Sequence, residues 1–394
     1  MTKNLPAIAC VIGALLLTAC VASCGSSGTT STSTTAPVLA DTSSGTSSAM
    51  RNITSLELSK QMSPGWNLGN SLEATPDETA WGNAATTQAL MDGVKAAGFK
   101  TVRIPAAWKA HADANDNIDP AWMARVKQVV DYARNAGLVV VVNVHWDGGW
   151  MQPTFAQQAT ANARLKKFWT QIGNAFNDYD DHLLFAGTNE VMVDGDYTKP
   201  TAEYCSVQKG FNQTFVDAVR ATGGNNARRH LVVQAYNTGI DWAVDCNATL
   251  PTDTVASRLF IEVHYYDPFD FTINDKSEIW QWGSIATDPS ATETWANEPW
   301  VDAQFQKMKA GFVDKGVPVL LGEYAAMLRS DHDPAGTYRT YWDKVITKSA
   351  IQHGLVPVYW DNGYPANHQM GLFDRASGAQ SFPDVIGAIV GAAQ

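Results

Sequence analysis

The sequence predicts a single (β/α)₈ barrel, a TIM barrel, and three observations carry that prediction. Four times a helix-like segment closes on a glycine followed at once, or within two residues, by an apolar run: Ala97-Gly98-Phe99, Ala136-Gly137-Leu138, Lys315-Gly316-Val317 and His353-Gly354-Leu355. Glycine accepts the left-handed conformation that ends a helix, and the apolar run after it reads as a buried strand. The first two closures are 39 residues apart and the last two 38, the length of one strand, one helix and two loops. Such units in series build a parallel sheet with helices outside. Finally, eight strand candidates can be read, at 64–68, 100–105, 138–145, 183–189, 230–236, 258–265, 317–323 and 356–360. A doubly wound open sheet is the alternative, but no Gly-x-Gly-x-x-Gly follows the first strand.

The first fifty residues stand apart from this pattern. Lys3 precedes an apolar run from Leu5 to Leu17, too short for a hydrocarbon core of about 30 Å and sized for a secretory signal. Leu17-Thr18-Ala19-Cys20 resembles the bacterial lipobox, which makes Cys20 the expected lipidated residue, and Val21-Ala22-Ser23-Cys24 is a weaker match. An ordinary signal peptide with a small-residue cleavage site is the plainer reading. Residues 1–20 are thus expected to direct export to the cell envelope or beyond, with membrane contact only through such an anchor. Residues 21–50, rich in Ser and Thr, are expected to form a flexible linker, because they cannot bury enough apolar surface to offset ordering entropy. Residues 51–394 make the barrel.

Helices are expected near 86–97, 120–136, 161–177, 201–221, 299–315, 335–353 and 382–392. The second opens with Asp119 as N-cap and Pro120 at the first helical position. The stretch 238–257 carries no clear signal. Over all 394 residues, 45% hydrophobic and 17% charged composition is globular, and a net charge of −11 is the wrong sign for a nucleic-acid partner. Trp is as frequent as Phe, 14 each, enough for a core or for exposed stacking platforms. Beyond the linker only Cys205 and Cys246 remain of five cysteines. After export they could pair across a loop of about forty residues, contributing about 4 kcal/mol, or stay as two buried thiols.

In a barrel the chemistry is built at the carboxyl ends of the strands. Here those ends read Trp66-Asn67-Leu68-Gly69-Asn70, Arg103, His145-Trp146-Asp147, Thr188-Asn189-Glu190, His264-Tyr265-Tyr266, Gly322-Glu323-Tyr324 and Tyr359-Trp360-Asp361-Asn362. Glu190 and Glu323 each terminate an otherwise apolar strand, the fourth and the seventh, which face each other across a barrel. Glycoside cleavage needs such a pair, one carboxyl to protonate the leaving oxygen and one to attack the anomeric carbon or activate water. The plain structural alternative makes each a rim ion-pair partner, of Arg103 or Lys315 for instance.

Taken together, these residues resemble glycoside hydrolase family 5. Trp66 to Asn70, Arg103-Ile104-Pro105, His145, Asn189-Glu190, His264-Tyr265-Tyr266, Gly322-Glu323 and Trp360 occur in that family's order, and Glu78-Thr-Ala-Trp81-Gly-Asn83 is similar to its bacterial endoglucanase branch. The resemblance implies a retaining endo-β-1,4-glucanase, monomeric and needing no metal or cofactor, acting on a β-glucan polysaccharide. It implies Glu190 as acid/base and Glu323 as nucleophile, with carboxyl groups about 5 to 5.5 Å apart. It also implies that Arg103 and Tyr266 keep Glu323 ionised while Glu190 stays protonated, and that His145 and His264 orient the acid and the sugar hydroxyls. From its place beside the acid Asn189 is expected to hold a sugar 2-hydroxyl, and from its place after the eighth strand Trp360 is expected to floor the cleavage subsite, with a core position as the alternative. Val191 stands where the family usually has Pro, and Trp146 where relatives of this branch often have a second His.

Trp81, Trp146, Trp150, Trp280 and Trp282 are candidate platforms, and Asn67, Asn70 and Asn362 candidate sugar contacts. Loops at 192–200 and 268–298 are expected at the active face, where substrate choice is decided. Glu262 shares strand parity with His264 and so points into the barrel, where it needs a partner that the sequence does not name. His145, Asp147, Glu262 and His264 form a rival metal set, though without compact ligand spacing. A catalytically silent carbohydrate-binding barrel would keep the tryptophans and need neither glutamate. The same mechanism on xyloglucan, mixed-linkage glucan or mannan is the closer alternative.

Overall fold

The computed structural model describes residues 49–394. The expected signal peptide, the lipobox with Cys20 and all but the end of the linker lie outside the described residues. Eight parallel strands close into a barrel in sequence order, each hydrogen-bonded to the next and the last to the first. They are β1 (Gly65–Leu68), β2 (Thr101–Ile104), β3 (Val139–Asn143), β4 (Leu183–Ala186), β5 (Leu231–Gln234), β6 (Leu259–His264), β7 (Val319–Tyr324) and β8 (Leu355–Asp361). The helices are α1 (Ser55–Ser59), α2 (Gln88–Ala96), α3 (Pro120–Asn135), α4 (Phe155–Ala175), α5 (Ala202–Ala221), α6 (Ile240–Cys246), α7 (Phe269–Thr272), α8 (Glu298–Gly311), α9 (Thr337–Gln352) and α10 (Pro383–Ala392).

The fold is the one expected, and its local signals work as the sequence suggests. Gly98, Gly137, Gly316 and Gly354 all hold positive φ, at 107°, 75°, 83° and 80°. Asp119 caps α3 by accepting from the Ala121 N–H. The differences are local. α4 starts at Phe155 instead of 161 because its first buried residue is Ala161, so its opening turn carries no apolar periodicity. The stretch 238–257 hides α6, whose seven residues bury only Ile240, Ala243 and Cys246. Cys205 on α5 and Cys246 on α6 are joined, with S–S 2.01 Å and Cα–Cα 5.3 Å. No helix among the described residues is long and apolar enough to cross a membrane.

Alternation along the strands sorts the core into two layers. Val139, Val141, Leu184, Val232, Phe260, Leu320 and Val356 fill the barrel. Their neighbours, among them Val140, Val142, Phe185, Val233, Ile261, Val319 and Leu321, pack outward under the helices. Asn67, Arg103, Asn143, Gln234 and Glu262 share the inward parity and are 0% exposed, so a polar layer sits above the apolar filling. Closure between β1 and β8 is polar as well. Trp66 Nε1 donates to Asp361 Oδ2 at 2.9 Å, and Arg375 pairs with Asp361 at 3.0 Å while lying 4.9 Å over the Trp66 ring.

β7 breaks the alternation where it matters. Val319 and Leu321 face the helices, and so does Tyr324, whose hydroxyl meets Thr347 of α9 at 2.6 Å. A regular strand with that start would also send Glu323 outward and Tyr324 inward. Register irregularities between Val263 and His264 and between Leu321 and Tyr324 take up the extra residue, and the bulge turns Glu323 to the barrel mouth. Gly322 is required beside it, since a Cβ there would lie 2.0 Å from Glu262 Oε1. Gly322→Ala is therefore expected to destabilise the fold by about 3 kcal/mol or more, through overpacking against a buried ion pair. Thermal or denaturant unfolding of the variant checks this, and an unchanged midpoint would contradict the packing described.

Candidate active site

Arg103 on β2 is fully buried and organises the barrel mouth. Its Nε lies 2.9 Å from Glu262 Oε1, and its Nη1 lies 2.9 Å from Glu323 Oε1. Nη1 also donates to Asn67 Oδ1 at 3.0 Å, and Nη2 to Asn189 Oδ1 at 2.7 Å. One guanidinium thus ties β1, β6 and β7 to the segment that leaves β4, using a planar fork that a lysine could not replace. The hydroxyl of Tyr266 donates to Glu323 Oε2 at 3.0 Å. Glu190 is placed opposite, its Oε1 2.7 Å from His264 Nδ1, which is itself 3.6 Å from Glu323 Oε2. One oxygen of Glu190 and one of Glu323 lie within 4.8 Å of each other. The Glu190 side chain is 41% exposed and that of Glu323 only 7%, so one carboxylate faces the opening and the other is clasped.

The charges around this pair explain its protonation. Burial works to neutralise His264, but Glu323, Glu190 and Glu262 together lift it to about 9. Burial also pushes Glu190 up, yet the hydrogen bond and charge of His264, with Arg103 beyond, hold it below the usual carboxylate range. Glu323 is raised, first by burial, against the pull of His264 and Arg103. These directions run opposite to the expectation of a protonated Glu190 beside a low-pKa Glu323, because Glu190 shares its hydrogen bond with His264. Three carboxylates around one histidine favour its charged form, and the 2.7 Å contact between His264 Nδ1 and Glu190 Oε1 lets the two groups share one proton. His145 is driven far below its ordinary value by burial and by the cations Arg103 and His264, and stays neutral.

His145, Asn189, Glu190, His264 and Tyr266 line one cavity of about 520 Å³, walled further by Trp146, Trp150, Asp194 and Tyr197. Trp360 on β8 is half-buried and stacks on His145 at 5.9 Å between ring centroids and 8° between planes. Trp146 is 56% exposed although both its neighbours are buried. It is held out because Asp147 accepts from the backbone N–H groups of Trp108 at 2.7 Å, Ala110 at 3.2 Å and Lys109. Trp146 also borders a second cavity of about 280 Å³, shared with Trp81, Glu73 and Lys109. Burial raises Glu73 to about 7 against backbone hydrogen bonds that favour its charge.

Several expected contacts are corrected. Asn67 is 0% exposed and cannot reach a sugar; its amide donates to the carbonyl of Gly322 at 2.8 Å while its oxygen holds Arg103. Asn70 holds its loop through its backbone, with φ 55° and a carbonyl that accepts from Asn83 at 2.8 Å, and its part-buried side chain remains a candidate sugar contact. Asn362 likewise donates to Gln369 at 2.7 Å. Trp282 is 1% exposed and donates to the Ala296 carbonyl, and Trp280 stacks on His332; neither lines the two cavities. Asp147, spent on amides, leaves the rival metal set. Among the described residues Glu190, His264 and Glu323 do offer metal-like spacing, but Arg103 and His264 already supply the positive charge there.

Sequence reasoning missed Gln234 and Tyr197. Gln234 ends β5 with the same inward parity that singled out Glu262, so its signal was available. Tyr197 stands in the 192–200 loop, where no periodicity says which residue faces the cavity. It also missed Asn237 and Thr238, which line the cavity with φ 46° and 45°, the kind of strain that collects at functional sites.

The comparisons agree with this geometry. The cellulase model (glycosyl hydrolase family 5) matches residues 66–365. Endoglucanase A of Paenibacillus barcinonensis is 40% identical over 363 residues, covering 86% of this chain and 90% of that protein. A xyloglucan-specific endo-β-1,4-glucanase of Bacteroides ovatus is 42% identical over 361 residues, covering 86% of this chain and 70% of that protein. Among solved structures, a Bacteroides ovatus family 5 xyloglucanase in complex with a XXXG heptasaccharide superposes with TM-score 0.84 at 41% identity, over 88% of this chain and 78% of the other. A broad-specificity endoglucanase from Bacteroides salanitronis gives 0.82 at 39%, over 87% and 96%. A buried arginine clasping one of two facing glutamates, on a barrel whose sequence matches these enzymes from Trp66 past both glutamates, places the chain in glycosyl hydrolase family 5, the cellulases.

Proposed function

We propose that this protein is an endo-β-1,4-glucanase that cuts β-glucan chains by a retaining double displacement. The observation that carries the reading is the spacing of Glu190 and Glu323, within 4.8 Å through one oxygen each. That leaves no room for the water an inverting enzyme holds between carboxylates about 6.5–9.5 Å apart. Glu323, fixed by Arg103 and Tyr266, attacks the anomeric carbon, and the bond to the leaving oxygen breaks as Glu190 delivers a proton to it. The glycosyl ester is then hydrolysed by a water whose proton Glu190 accepts. Trp360 offers its face to the apolar side of the sugar at the cleavage point.

Relatives named as endoglucanases and as xyloglucan-specific enzymes bracket the substrate class. The cavity between Trp81 and Trp146 supports a further sugar contact beside the main opening, with aromatic walls and a buried carboxylate in its lining. One chain supplies every group of the site, so a monomer suffices. Export, and anchoring at Cys20, rest on the N-terminal sequence pattern alone.

The first test is release of new reducing ends from a soluble cellulose derivative, mixed-linkage glucan, xyloglucan, glucomannan and xylan, with a chelator present. Fast cutting of glucans is expected, and Glu323→Ala should reduce it at least about a thousandfold while the variant stays folded and still binds glucan. Full activity in that variant would sink the mechanism. Proton NMR of the first product should show the β-anomer before mutarotation, whereas an initial α-anomer would mean inversion. Trp146→Ala should raise KM about tenfold, the equivalent of about 1.4 kcal/mol of lost stacking, with a smaller change in kcat.

A further inference from the structure

Glu262 is fully buried in the polar layer and has no part in the double displacement. Its surroundings are nevertheless built for a charge. Its Oε1 lies 2.9 Å from Arg103 Nε, its Oε2 accepts from Gln234 Nε2 at 2.6 Å, and Gly322 leaves out the Cβ that would occupy its place. Its remaining neighbour is His264, whose Nε2 lies 3.3 Å away while Nδ1 lies 2.7 Å from Glu190 Oε1. Both nitrogens of one imidazole therefore face carboxylates. A neutral ring carries one N–H and would turn a bare lone pair toward one of them.

Only two arrangements avoid that repulsion while Glu262 stays ionised beside Arg103. In one, His264 is an imidazolium between two carboxylates. In the other, Nε2–H donates to Glu262, and a protonated Glu190 donates to Nδ1. They differ by the position of a single proton on one hydrogen bond and carry the same total charge.

We propose that Glu262 is a positioning residue that fixes Nε2 of His264 as a donor, so that the proton used in catalysis is shared between His264 Nδ1 and Glu190 Oε1. This rests on the reading of Glu190 as acid/base. In the resting site the pair holds that one proton between Nδ1 and Oε1. When a leaving oxygen comes within reach, the proton passes from Nδ1 to Oε1 and on to that oxygen, leaving a neutral imidazole and a Glu190 carboxylate. The attacking water of the second step returns one proton to Glu190, and the pair is restored. No group outside the chain is needed to balance the cycle.

The titratable and charged groups that face His264 or the carboxylates around it are Arg103 from β2, His145 from the end of β3, Glu190 beyond β4, Glu262 and Tyr266 from β6 and its end, and Glu323 from β7. Gln234 of β5 adds a neutral amide on Glu262. A carboxylate favours the protonated state of its neighbour, so removing the Glu262 charge lowers the pH at which the pair loses its proton. In Glu262→Gln the alkaline limb of kcat/KM is therefore expected to move to lower pH by about one unit or more. Glu262→Asp, which keeps the charge, should restore most of that limb even at reduced kcat. A Gln variant with the wild-type limb, or an Asp variant that follows the Gln one, would overturn the proposal.

The wild-type enzyme supplies a reading that does not depend on either variant folding. With ¹⁵N-labelled histidine, Nε2 of His264 should carry a proton at pH 7 whether or not Nδ1 does, and a ring protonated at Nδ1 alone at that pH would equally overturn the proposal. Failure of the glucanase reading looks different. Glu323→Ala would then retain turnover, whatever the protonation of His264.

Discussion

The burial of Arg103 is the constraint on which the rest of the site depends. A guanidinium with no access to water is tolerated only if its charge is matched and its donors are used, and this one is answered by Glu262, Glu323, Asn67 and Asn189. Each partner comes from a different part of the barrel mouth. Glu323 therefore cannot shift without uncovering the arginine, and the arginine cannot shift without stranding Glu262. Rigidity at the Glu323 carboxylate is a by-product of electrostatic necessity deep in the barrel.

Two departures from regular strand geometry make room for this arrangement. The bulge in β7 turns Glu323 from the helix side to the mouth, and Gly322 lets the Glu262 carboxylate occupy space that any side chain would take. Both lie within two consecutive residues, so one short stretch reverses the facing of Glu323 and accommodates the Glu262 carboxylate. At the opposite wall Asp147 performs a related task. By holding three successive amides, it leaves Trp146 projecting between two cavities, a large apolar surface in water that marks a contact with ligand more readily than with the core.

The electrostatics of the pair follow from counting charges across the whole cluster instead of assigning one pKa to each glutamate. Two cations and three carboxylates share a small volume, and their titrations are coupled. In that setting a general acid need not hold its own proton at rest. A neighbour one hydrogen bond away can hold it, provided the transfer leaves the total charge unchanged.

The sequence by itself determined the barrel, since strand-helix periodicity and glycine closures are local properties that every repeat states again. It also singled out Glu190 and Glu323, because a carboxylate ending an apolar strand is conspicuous wherever it lies, while the part played by Arg103 came from resemblance to the family. What only the tertiary structure decided was which polar residues meet. Asn67 stands among the strand-end motifs and yet turns inward to Arg103, Trp282 belongs to the core, and Glu262 finds its partners on β2, β5 and β6. Strand parity says that a side chain points into the barrel. It does not say at which height it meets its neighbours, nor where a bulge reverses the count, because both are set by register between strands far apart in the chain.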